Sequence, residues 1–428
     1  MQDSDTAQRE PSALFRWIVL LFISLAMFGN YYIYDSIAPI ADMLKADLGF
    51  TDENIGQMYS VYSIAAIVIL LIGGVIIDRY GTKKTILYFG ILSTIAAVVT
   101  GVSSNFYIML GGRVLLGLGS EPLIVAITTA LAKWFKGKEL SFAFGINLTI
   151  ARLGSVAADN SPTWGYAFYN NWQNPLFLAM ILSLTCLIGG AVYYFLEGYA
   201  QKNYTLGKAA QTDKVEFKGL FKFNKSFWLI VALCVTFYSA IFPFRSFAIK
   251  FFMEAHGETR EMAGFLNSIL PISAMIATPL FGILADKIGK RALLMTFGSL
   301  LLVPVYLLMV YSDISLYVPI VFMGIAFSLI PAVMWPSVAY IVEEKRLGTA
   351  YALMTLIQQV GLAGFNWMIG AANDYSGASA QNPGGYALGM WIFSILGFLG
   401  LLFAYLLRKV ETGENSHGLE EGMKHRLS

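Results

Sequence analysis

Two charged residues stand inside consecutive apolar stretches of this sequence and are the residues best placed to do chemistry. Glu121 lies in the fourth hydrophobic segment and Arg152 in the fifth. A charge near the bilayer centre costs about 2.5–3.5 kcal/mol on insertion scales, so such residues usually mark a substrate or ion path. Each lies roughly 20 Å along its predicted helix. Because the two helices run in opposite directions, both charges reach a similar depth. This predicts a site for a dipolar solute, with a structural ion pair as the alternative.

The composition excludes a large soluble domain. The chain has 428 residues, of which 57% are hydrophobic and 13% charged, against about 25% charged in soluble proteins. A bilayer span needs about 20 apolar residues, so the chain has room for roughly a dozen. The net charge of +2 gives no sign of nucleic-acid binding, and the polar N-terminal residues are unlike a signal peptide.

Residues for catalysis or metal binding are few. Cys186 and Cys234 lie in apolar segments, which favours core residues over a disulfide. The histidines lie in a loop or the tail, at His256, His417 and His425. The sequence contains no GxxxxGK[ST] loop, and no pattern typical of a catalytic triad or metal cluster. We therefore predict a protein that is not an enzyme and that uses no metal and no cofactor.

The fold class predicted is an all-α polytopic membrane protein with 12 transmembrane helices in two pseudo-symmetric six-helix bundles. The segments lie near residues 14–43, 57–77, 84–101, 107–133, from 139, 175–196, 226–253, 263–285, 293–311, 316–342, 349–371 and 387–407. We expect an N-terminal bundle at 1–196, a linker at 197–225, a C-terminal bundle at 226–407 and a disordered tail at 408–428.

Lysine and arginine residues predict the orientation. The loops after segments two, four, six, eight and ten are basic, whereas those after three, five, nine and eleven carry no Lys or Arg. The even-numbered loops and both termini are therefore expected to face the cytoplasm.

A short loop is repeated in the two halves. GVIIDRYGTKK follows segment two and GILADKIGKR follows segment eight, which places Asp78 and Asp286 208 residues apart. Two homologous six-span halves are typical of transporters whose substrate site lies near the midplane, between the halves.

Several motifs indicate a family. GxxxDRxGxKK after segment two and Arg113-x-x-x-Gly117-x-Gly119 in segment four resemble signature motifs of the major facilitator superfamily. Longer stretches are similar to the facilitator family typified by the animal lysosomal dipeptide transporters: YSVYS (59–63), GRVLLGLGSEPLIVA (112–126), WFKGKELSFAFGINLTIARLGS (134–155), FPF (242–244), MWPSVAYIVEEKRLGTAYALM (334–354) and IQQVGLA (357–363).

The resemblance implies dipeptide transport by uniport, with Glu121 meeting the amino terminus of the peptide and Arg152 its carboxylate. The sequence departs from the animal members in three ways. It has no acidic dileucine signal in its N-terminal tail, its glycosylation sequons are misplaced, and Arg245 is an extra charge in segment seven. The first two departures, together with the short loops, favour a bacterial inner membrane and a carrier that requires no accessory subunit. We also expect a monomer.

This two-ended clamp, in which Glu121 binds the amino terminus and Arg152 the carboxylate, also has a physical basis. The charged ends of a dipeptide lie within about 7 Å by extended-chain geometry. A carboxylate can accept charge-assisted hydrogen bonds from the ammonium, and a guanidinium can fork onto the carboxylate. The separation of Glu121 and Arg152 then selects against free amino acids and longer peptides.

Three competing hypotheses remain. The first is a proton-coupled transporter or antiporter of another small solute, in which Glu121, Asp35 or Glu254 would be protonated. The others are an organic-anion carrier and a non-transporting receptor.

Further side chains are predicted to line the cavity. Gln359 and Asn366 share a stripe of segment eleven with Thr355, and their amides could bond a peptide backbone. Asp35 is a second candidate for the ammonium, and Asp159 could hold Arg152 in the empty carrier. Packing, helix bridging or a membrane-interface position is the alternative for the aromatic and amide residues. The substrate-binding set is Glu121, Arg152, Tyr31, Asp35, Tyr59, Tyr62, Tyr238, Trp335, Gln359 and Asn366.

The signature loops predict a conformational latch that holds the cytoplasmic side closed while the outer side, away from the termini, is open. Asp78 and Asp286 can accept hydrogen bonds from a helix N-terminus, where the partial positive charge favours a carboxylate. Arg79 belongs to the same loop. Arg113 and Arg245 complete the gating set, with a structural role as the alternative for Arg113 and solvation near the membrane surface as the alternative for Arg245.

Overall fold

The computed structural model describes residues 10–135, 139–206, 223–414 and 416–421. These residues form helices joined by short loops. The α-helices are Ala13–Asp35, Ala41–Leu48, Asp52–Gly101, Phe106–Phe135, Leu140–Asp159, Ser161–Trp164, Gln173–Asn203, Lys225–His256, Arg260–Ile288, Arg291–Leu302, Val305–Tyr311, Tyr317–Ile341, Leu347–Tyr375 and Ala387–Glu411. Short 3-10 helices occur at Ala38–Ile40, Tyr166–Phe168, Glu344–Arg346 and Pro383–Tyr386.

Within the described residues, twelve helical stretches are long and apolar enough to cross a bilayer, which confirms the predicted fold class. Spans 1 to 12 are Ala13–Leu48, Asp52–Ile72, Arg79–Gly101, Phe106–Phe135, Leu140–Asp159, Gln173–Asn203, Lys225–His256, Arg260–Ile288, Arg291–Tyr311, Tyr317–Ile341, Glu344–Tyr375 and Pro383–Glu411. We call the side with the loops after odd-numbered spans the distal side. The opposite side, where span 1 begins and span 12 ends, is the terminal side.

Spans 1–6 form one bundle and spans 7–12 the other. The bundles meet mainly where span 2 crosses span 11 and where span 5 crosses span 8. The two signature loops share a backbone feature, since Gly81 has φ 75° and Gly289 has φ 69°. Glycine adopts such positive φ values without the penalty of a Cβ atom. The repeat is therefore present in the backbone as well as in the sequence.

Span 6 continues beyond its predicted end at residue 196 and reaches Asn203. Glu197 is 1% exposed, and the Thr82 hydroxyl lies 3.1 and 2.9 Å from its two carboxylate oxygens. Lys133 forms an ion pair with the same carboxylate. Because Lys133 neutralises the buried carboxylate of Glu197, the helix can continue past this residue, where the sequence predicted its end. Most of the predicted linker, residues 207–222, lies outside the described residues.

The tail packs against the C-terminal bundle over residues 416–421, so the expectation of disorder was wrong there. Leu419 is fully buried, and its carbonyl accepts a hydrogen bond from the Arg291 N–H at 2.8 Å. Glu420 Oε1 accepts from the Leu293 N–H at 3.0 Å, in the first turn of span 9. A carboxylate is stabilised at a helix N-terminus by the helix dipole. Polar composition alone does not reveal such a cap.

Candidate functional site

A cavity of about 260 Å³ lies between the two bundles. It contains both charges that the sequence singled out, Glu121 and Arg152. Other members of the predicted set also lie on its wall, namely Tyr31, Asp35, Tyr62, Tyr238, Trp335 and Gln359. The remaining lining residues are Asn30, Tyr34, Ser120, Ile124, Ser155, Phe242, Arg245, Thr355, Gln358 and Leu362.

Neutral donors from both bundles hold Glu121. The Tyr62 hydroxyl of span 2 lies 3.2 Å from Glu121 Oε1. Gln359 Nε2 of span 11 donates to the same oxygen at 3.0 Å. Among the described residues, no lysine or arginine forms an ion pair with Glu121. The contacts of this carboxylate are thus made by neutral groups.

Aromatic faces hold Arg152. Its Cζ lies 5.5 Å from the ring centroid of Tyr31 in span 1 and 5.5 Å from that of Phe327 in span 10. Such cation–π contacts stabilise a guanidinium without using its N–H donors for a carboxylate. No carboxylate in the described part of the chain lies within ion-pair distance of Arg152. The cavity wall therefore carries two opposite charges that are not paired with each other.

The distal wall of the cavity is an ion-paired layer that joins the bundles. Arg245 of span 7 is buried, and its Nη2 lies 2.8 Å from Asp159 Oδ2. Its Nη1 lies 3.5 Å from Asp35 Oδ1. Asn267 Nδ2 donates to the second oxygen of Asp159 at 2.8 Å. Asp159 thus pairs with Arg245, and not with Arg152 as expected. Burial also rules out the alternative in which Arg245 reaches water near the membrane surface.

A second charged cluster, which was not predicted from the sequence, joins the bundles further to the distal side. Lys250 is 1% exposed, and its Nζ lies 2.9 Å from Asp52 Oδ2 in span 2. The same nitrogen lies 2.7 Å from the Tyr386 hydroxyl and 3.1 Å from Glu254 Oε2. The sequence did contain a signal for this cluster, because Lys250 is a second basic residue inside apolar segment seven. A charge inside an apolar segment is also what identified Glu121.

The beginning of span 2 is also held by the opposite bundle. The Asp374 carboxylate, at the end of span 11, accepts hydrogen bonds from the N–H groups of Asp52 at 3.0 Å and Glu53 at 2.7 Å. These are free N–H groups of a helix N-terminus, which favour a carboxylate. Arg260 and Asp42 form another ion pair between the bundles. The distal side is therefore closed by several layers of contacts.

Two residues predicted to contact substrate lie outside the cavity. Tyr59 is 1% exposed, and its ring packs under the guanidinium of Arg113, 5.0 Å away. Asn366 is buried where span 2 crosses span 11, and its Oδ1 accepts from the Ser246 hydroxyl at 3.1 Å. Helical periodicity correctly placed Gln359 on the cavity wall. Asn366 shares that face but lies about two turns further along, where the helices touch.

Arg113 is bound within the N-terminal bundle. It is fully buried, and it donates to the carbonyl oxygens of Ile33 at 3.2 Å and Tyr34 at 3.1 Å. Its Nε donates to the Met58 carbonyl at 3.4 Å. These acceptors belong to spans 1 and 2, so the contacts tie one bundle together. The structural alternative fits Arg113 better than the gating role.

The other latch residues remain a prediction. The side chain of Asp78 lies outside the described part of the structure. Arg79 is exposed, with its Cζ 5.6 Å from the ring centroid of Tyr80. Asp286 pairs with Arg291 of its own bundle and is 58% exposed at its side chain. The latch was predicted for the state in which the distal side is open, and here that side is closed.

Comparisons with known proteins identify the family. The family model described as Major Facilitator Superfamily matches residues 22–247 and 244–427. Lysosomal dipeptide transporter MFSD1 of Danio rerio is 30% identical over 400 residues, which cover 88% of this chain and 87% of the relative. The Homo sapiens protein of that name is 28% identical over 430 residues, covering 96% and 90%.

A solved structure supports the same fold. The crystal structure of a bacterial homologue of the human lysosomal transporter Spinster, inward-facing and unoccupied, matches with a TM-score of 0.74 at 17% identity. The match covers 93% of this chain and 98% of the other. At this identity the likeness concerns the fold alone. The twelve spans, the family model and the MFSD1 relatives agree, and this chain is a transporter of the major facilitator superfamily, in the family that includes the MFSD1 proteins.

Proposed function

We propose that this protein carries dipeptides across a membrane by alternating access, as a uniporter. One observation carries the proposal: Glu121 and Arg152 face the same cavity, and neither is ion-paired with a described residue. A zwitterion supplies one group for each charge. The volume of about 260 Å³ is near the lower end for small-molecule sites, which suits a small peptide. The relatives named as dipeptide transporters support the same substrate class.

The hydrogen bonds suggest how the amino terminus would bind. Tyr62 and Gln359 both contact Glu121 Oε1. The second carboxylate oxygen, Oε2, is then the natural acceptor for the substrate ammonium. Arg152 can present two parallel N–H donors to the substrate carboxylate while its face rests on the aromatic rings. Charge-assisted bonds of this kind are stronger than bonds between neutral groups.

The same contacts favour uniport. In the empty carrier Glu121 is stabilised by a phenol and an amide, and Arg152 by two aromatic rings. Because each charge has polar or aromatic partners within the protein, we propose that neither takes up a proton or a counter-ion before the bundles rearrange. We also propose that the terminal side faces the cytoplasm of a bacterial cell, from the basic even-numbered loops, and that the carrier acts as a monomer.

Proton coupling is the second candidate, and one observation favours it. Asp35 and Asp159 share a single guanidinium, that of Arg245, and Asp35 lines the cavity. A proton could neutralise the excess negative charge. Uptake into proteoliposomes separates the mechanisms. A uniporter only equilibrates the dipeptide, with or without a pH gradient, whereas a coupled carrier accumulates it against its own gradient when the pH gradient is imposed.

A thermal-shift experiment on the purified protein tests the clamp. A ligand at about 100 times its Kd stabilises the folded state by about 2.7 kcal/mol. We expect dipeptides to raise the apparent Tm and their N-acetylated and C-amidated forms to have no effect. Glu121→Gln and Arg152→Ala should each abolish the response to dipeptides, because each removes one of the two charged contacts.

Controls on the same residue types are available outside the cavity. Glu343→Gln and Arg408→Ala should leave the response to dipeptides unchanged. If Glu121→Gln and Arg152→Ala both bind dipeptides with wild-type affinity, the two-ended clamp is wrong. If no dipeptide stabilises the wild-type protein, the dipeptide assignment fails and membership of the superfamily is unaffected.

A further inference from the structure

Three residues on the cavity wall each have a buried polar atom without a hydrogen-bond partner among the described residues. One is Arg245 Nε, whose guanidinium is already ion-paired through both Nη atoms. The other two are the hydroxyl oxygen of Ser155 and the amide oxygen, Oε1, of Gln359. Ser155 is fully buried and Gln359 is 5% exposed. Buried polar groups are normally paired in native proteins, so each unpaired group needs an explanation.

Four serines of the described spans have a buried hydroxyl without a partner, namely Ser63, Ser155, Ser239 and Ser394, and of these Ser155 is the one on the cavity wall. A serine in a membrane helix usually returns its hydroxyl to a carbonyl of the preceding turn. Ser60 and Ser328 do so here, bonding Gly56 and Gly324 at 2.9 and 2.8 Å. Ser155 forms no such bond and lies on the cavity wall. Its hydroxyl is therefore free to bond a ligand.

The unpaired atoms of Ser155 and Gln359 come from opposite walls. Ser155 lies three residues after Arg152 on span 5, so both side chains are on the same face of that helix. Gln359 lies on span 11 of the other bundle. Its Nε2 is bound to Glu121, which fixes the amide and leaves Oε1 as an acceptor. Ser155 thus lies beside Arg152, and Gln359 beside Glu121. Both charges belong to the N-terminal bundle, whereas the two unpaired atoms come from different bundles.

The middle of a dipeptide matches this arrangement. Its single peptide bond is planar and trans, so the carbonyl and the N–H point in opposite directions. When the ends are held by Glu121 and Arg152, the carbonyl can face one bundle and the N–H the other. Resting on the function proposed above, we propose that Ser155 and Gln359 form a peptide-bond subsite. The Ser155 hydroxyl donates to the peptide carbonyl, and the peptide N–H donates to Gln359 Oε1.

The subsite adds a selection that the charges alone do not provide. A clamp of two charges accepts any zwitterion of the right length. A site that hydrogen-bonds a particular group rejects the analogue that lacks it, because its own buried groups are then left unpaired. The carrier should therefore distinguish a peptide from an ω-amino acid of equal length.

Three zwitterions of equal backbone length test this selection. Gly-Gly contains the peptide bond, δ-aminolevulinate has CH₂ in place of the N–H, and δ-aminovalerate lacks both the carbonyl and the N–H. We expect the affinity of the purified wild-type protein, measured by calorimetry, to fall about tenfold at each step. Equal affinity for Gly-Gly and δ-aminovalerate would overturn the subsite and leave the clamp in place.

Ser155→Ala isolates one of the two bonds. It should weaken Gly-Gly and δ-aminolevulinate about tenfold and leave δ-aminovalerate unchanged, because only the first two present a carbonyl. A loss that is equal for all three ligands would show a merely structural role and would also overturn the inference. Ser63→Ala is the matched control, since Ser63 is fully buried, has no partner among the described residues and does not line the cavity.

The experiment separates this inference from the function on which it rests. If neither Gly-Gly nor Ala-Ala binds the wild-type protein, the proposed function and the subsite fail together. If both dipeptides bind and the ligand series is flat, only the subsite fails.

Discussion

On the distal side, the two crossings between the bundles use equivalent backbone positions and different side-chain chemistry. Gly56 of span 2 lies against the backbone carbonyl of Asn366 in span 11. Gly264 of span 8 lies against the backbone carbonyl of Asp159 in span 5. The two glycines are 208 residues apart, like the signature aspartates, and Asp159 and Asn366 are 207 residues apart. A Cβ atom at either glycine would collide with the carbonyl it faces.

The side chains at these crossings are not equivalent. Asp159 forms a buried ion pair with Arg245 of span 7. Asn366 accepts a hydrogen bond from Ser246, the next residue of that span. At these two equivalent positions the contact is therefore ionic in one crossing and neutral in the other, although one helix supplies the partner to both.

The cavity shows the same division. Arg152 and Gln359 are also 207 residues apart and both lie on the cavity wall. Arg152 brings a positive charge to the cavity wall, and Gln359 brings a neutral amide that bonds Glu121. The internal repeat therefore determines where backbones approach each other, whereas the charged residues at the equivalent positions differ between the two halves.

The ionic crossing should show the largest effect. Arg245→Leu leaves the carboxylates of Asp35 and Asp159 without the cation that both contact. Removing one partner of a buried ion pair costs about 3–5 kcal/mol. We expect a large decrease in the free energy of unfolding, measured by denaturation in detergent. A decrease no larger than that of Ser246→Ala would mean that the two crossings do not differ in energy as they do in chemistry.

The shared backbone geometry should show an intermediate effect. Gly56→Ala and Gly264→Ala each place a methyl group against a backbone carbonyl, and such overpacking costs about 1–3 kcal/mol. Because the state with the distal side closed is the one disturbed, both variants should also slow uptake into proteoliposomes. Gly145→Ala and Gly364→Ala are controls in spans 5 and 11, where an added Cβ meets nothing within 4 Å. An effect at only one of the two crossings would contradict their equivalence.

The neutral crossing should show the smallest effect. Ser246→Ala removes one hydrogen bond to Asn366 and should lower the free energy of unfolding by about 1 kcal/mol. Ser394→Ala is a suitable control, because Ser394 is buried and its hydroxyl has no partner among the described residues. Equal losses in the two variants would show that the Ser246 hydrogen bond contributes nothing measurable.

Much of the fold could be predicted from the sequence, because apolar length, the repeated loop and rare intramembrane charges are local signals. Glu121 and Arg152 were found in this way, and the structure places both on one cavity. The partner of Arg245 could not be found, since Asp35 and Asp159 are contributed by spans 1 and 5. Pairing across the bundles depends on their relative position, which no local pattern contains.

Two kinds of site residue were misplaced or missed for related reasons. Periodicity gives the face of a helix but not the depth at which that face meets a neighbour, so Asn366 was assigned to the cavity together with Gln359. Ser155 was missed because a serine that bonds its own helix and one that faces a cavity look the same in a sequence. The neighbouring helices in the folded protein determine which of these two roles a serine has.

The ordered tail has a practical consequence for protein engineering. Leu419 and Glu420 contact the first residues of span 9, and His417 contacts Glu411 at the end of span 12. A reporter protein fused directly after Glu411 would remove these contacts and report on a weakened C-terminal bundle. A fusion that begins after Glu421 keeps them.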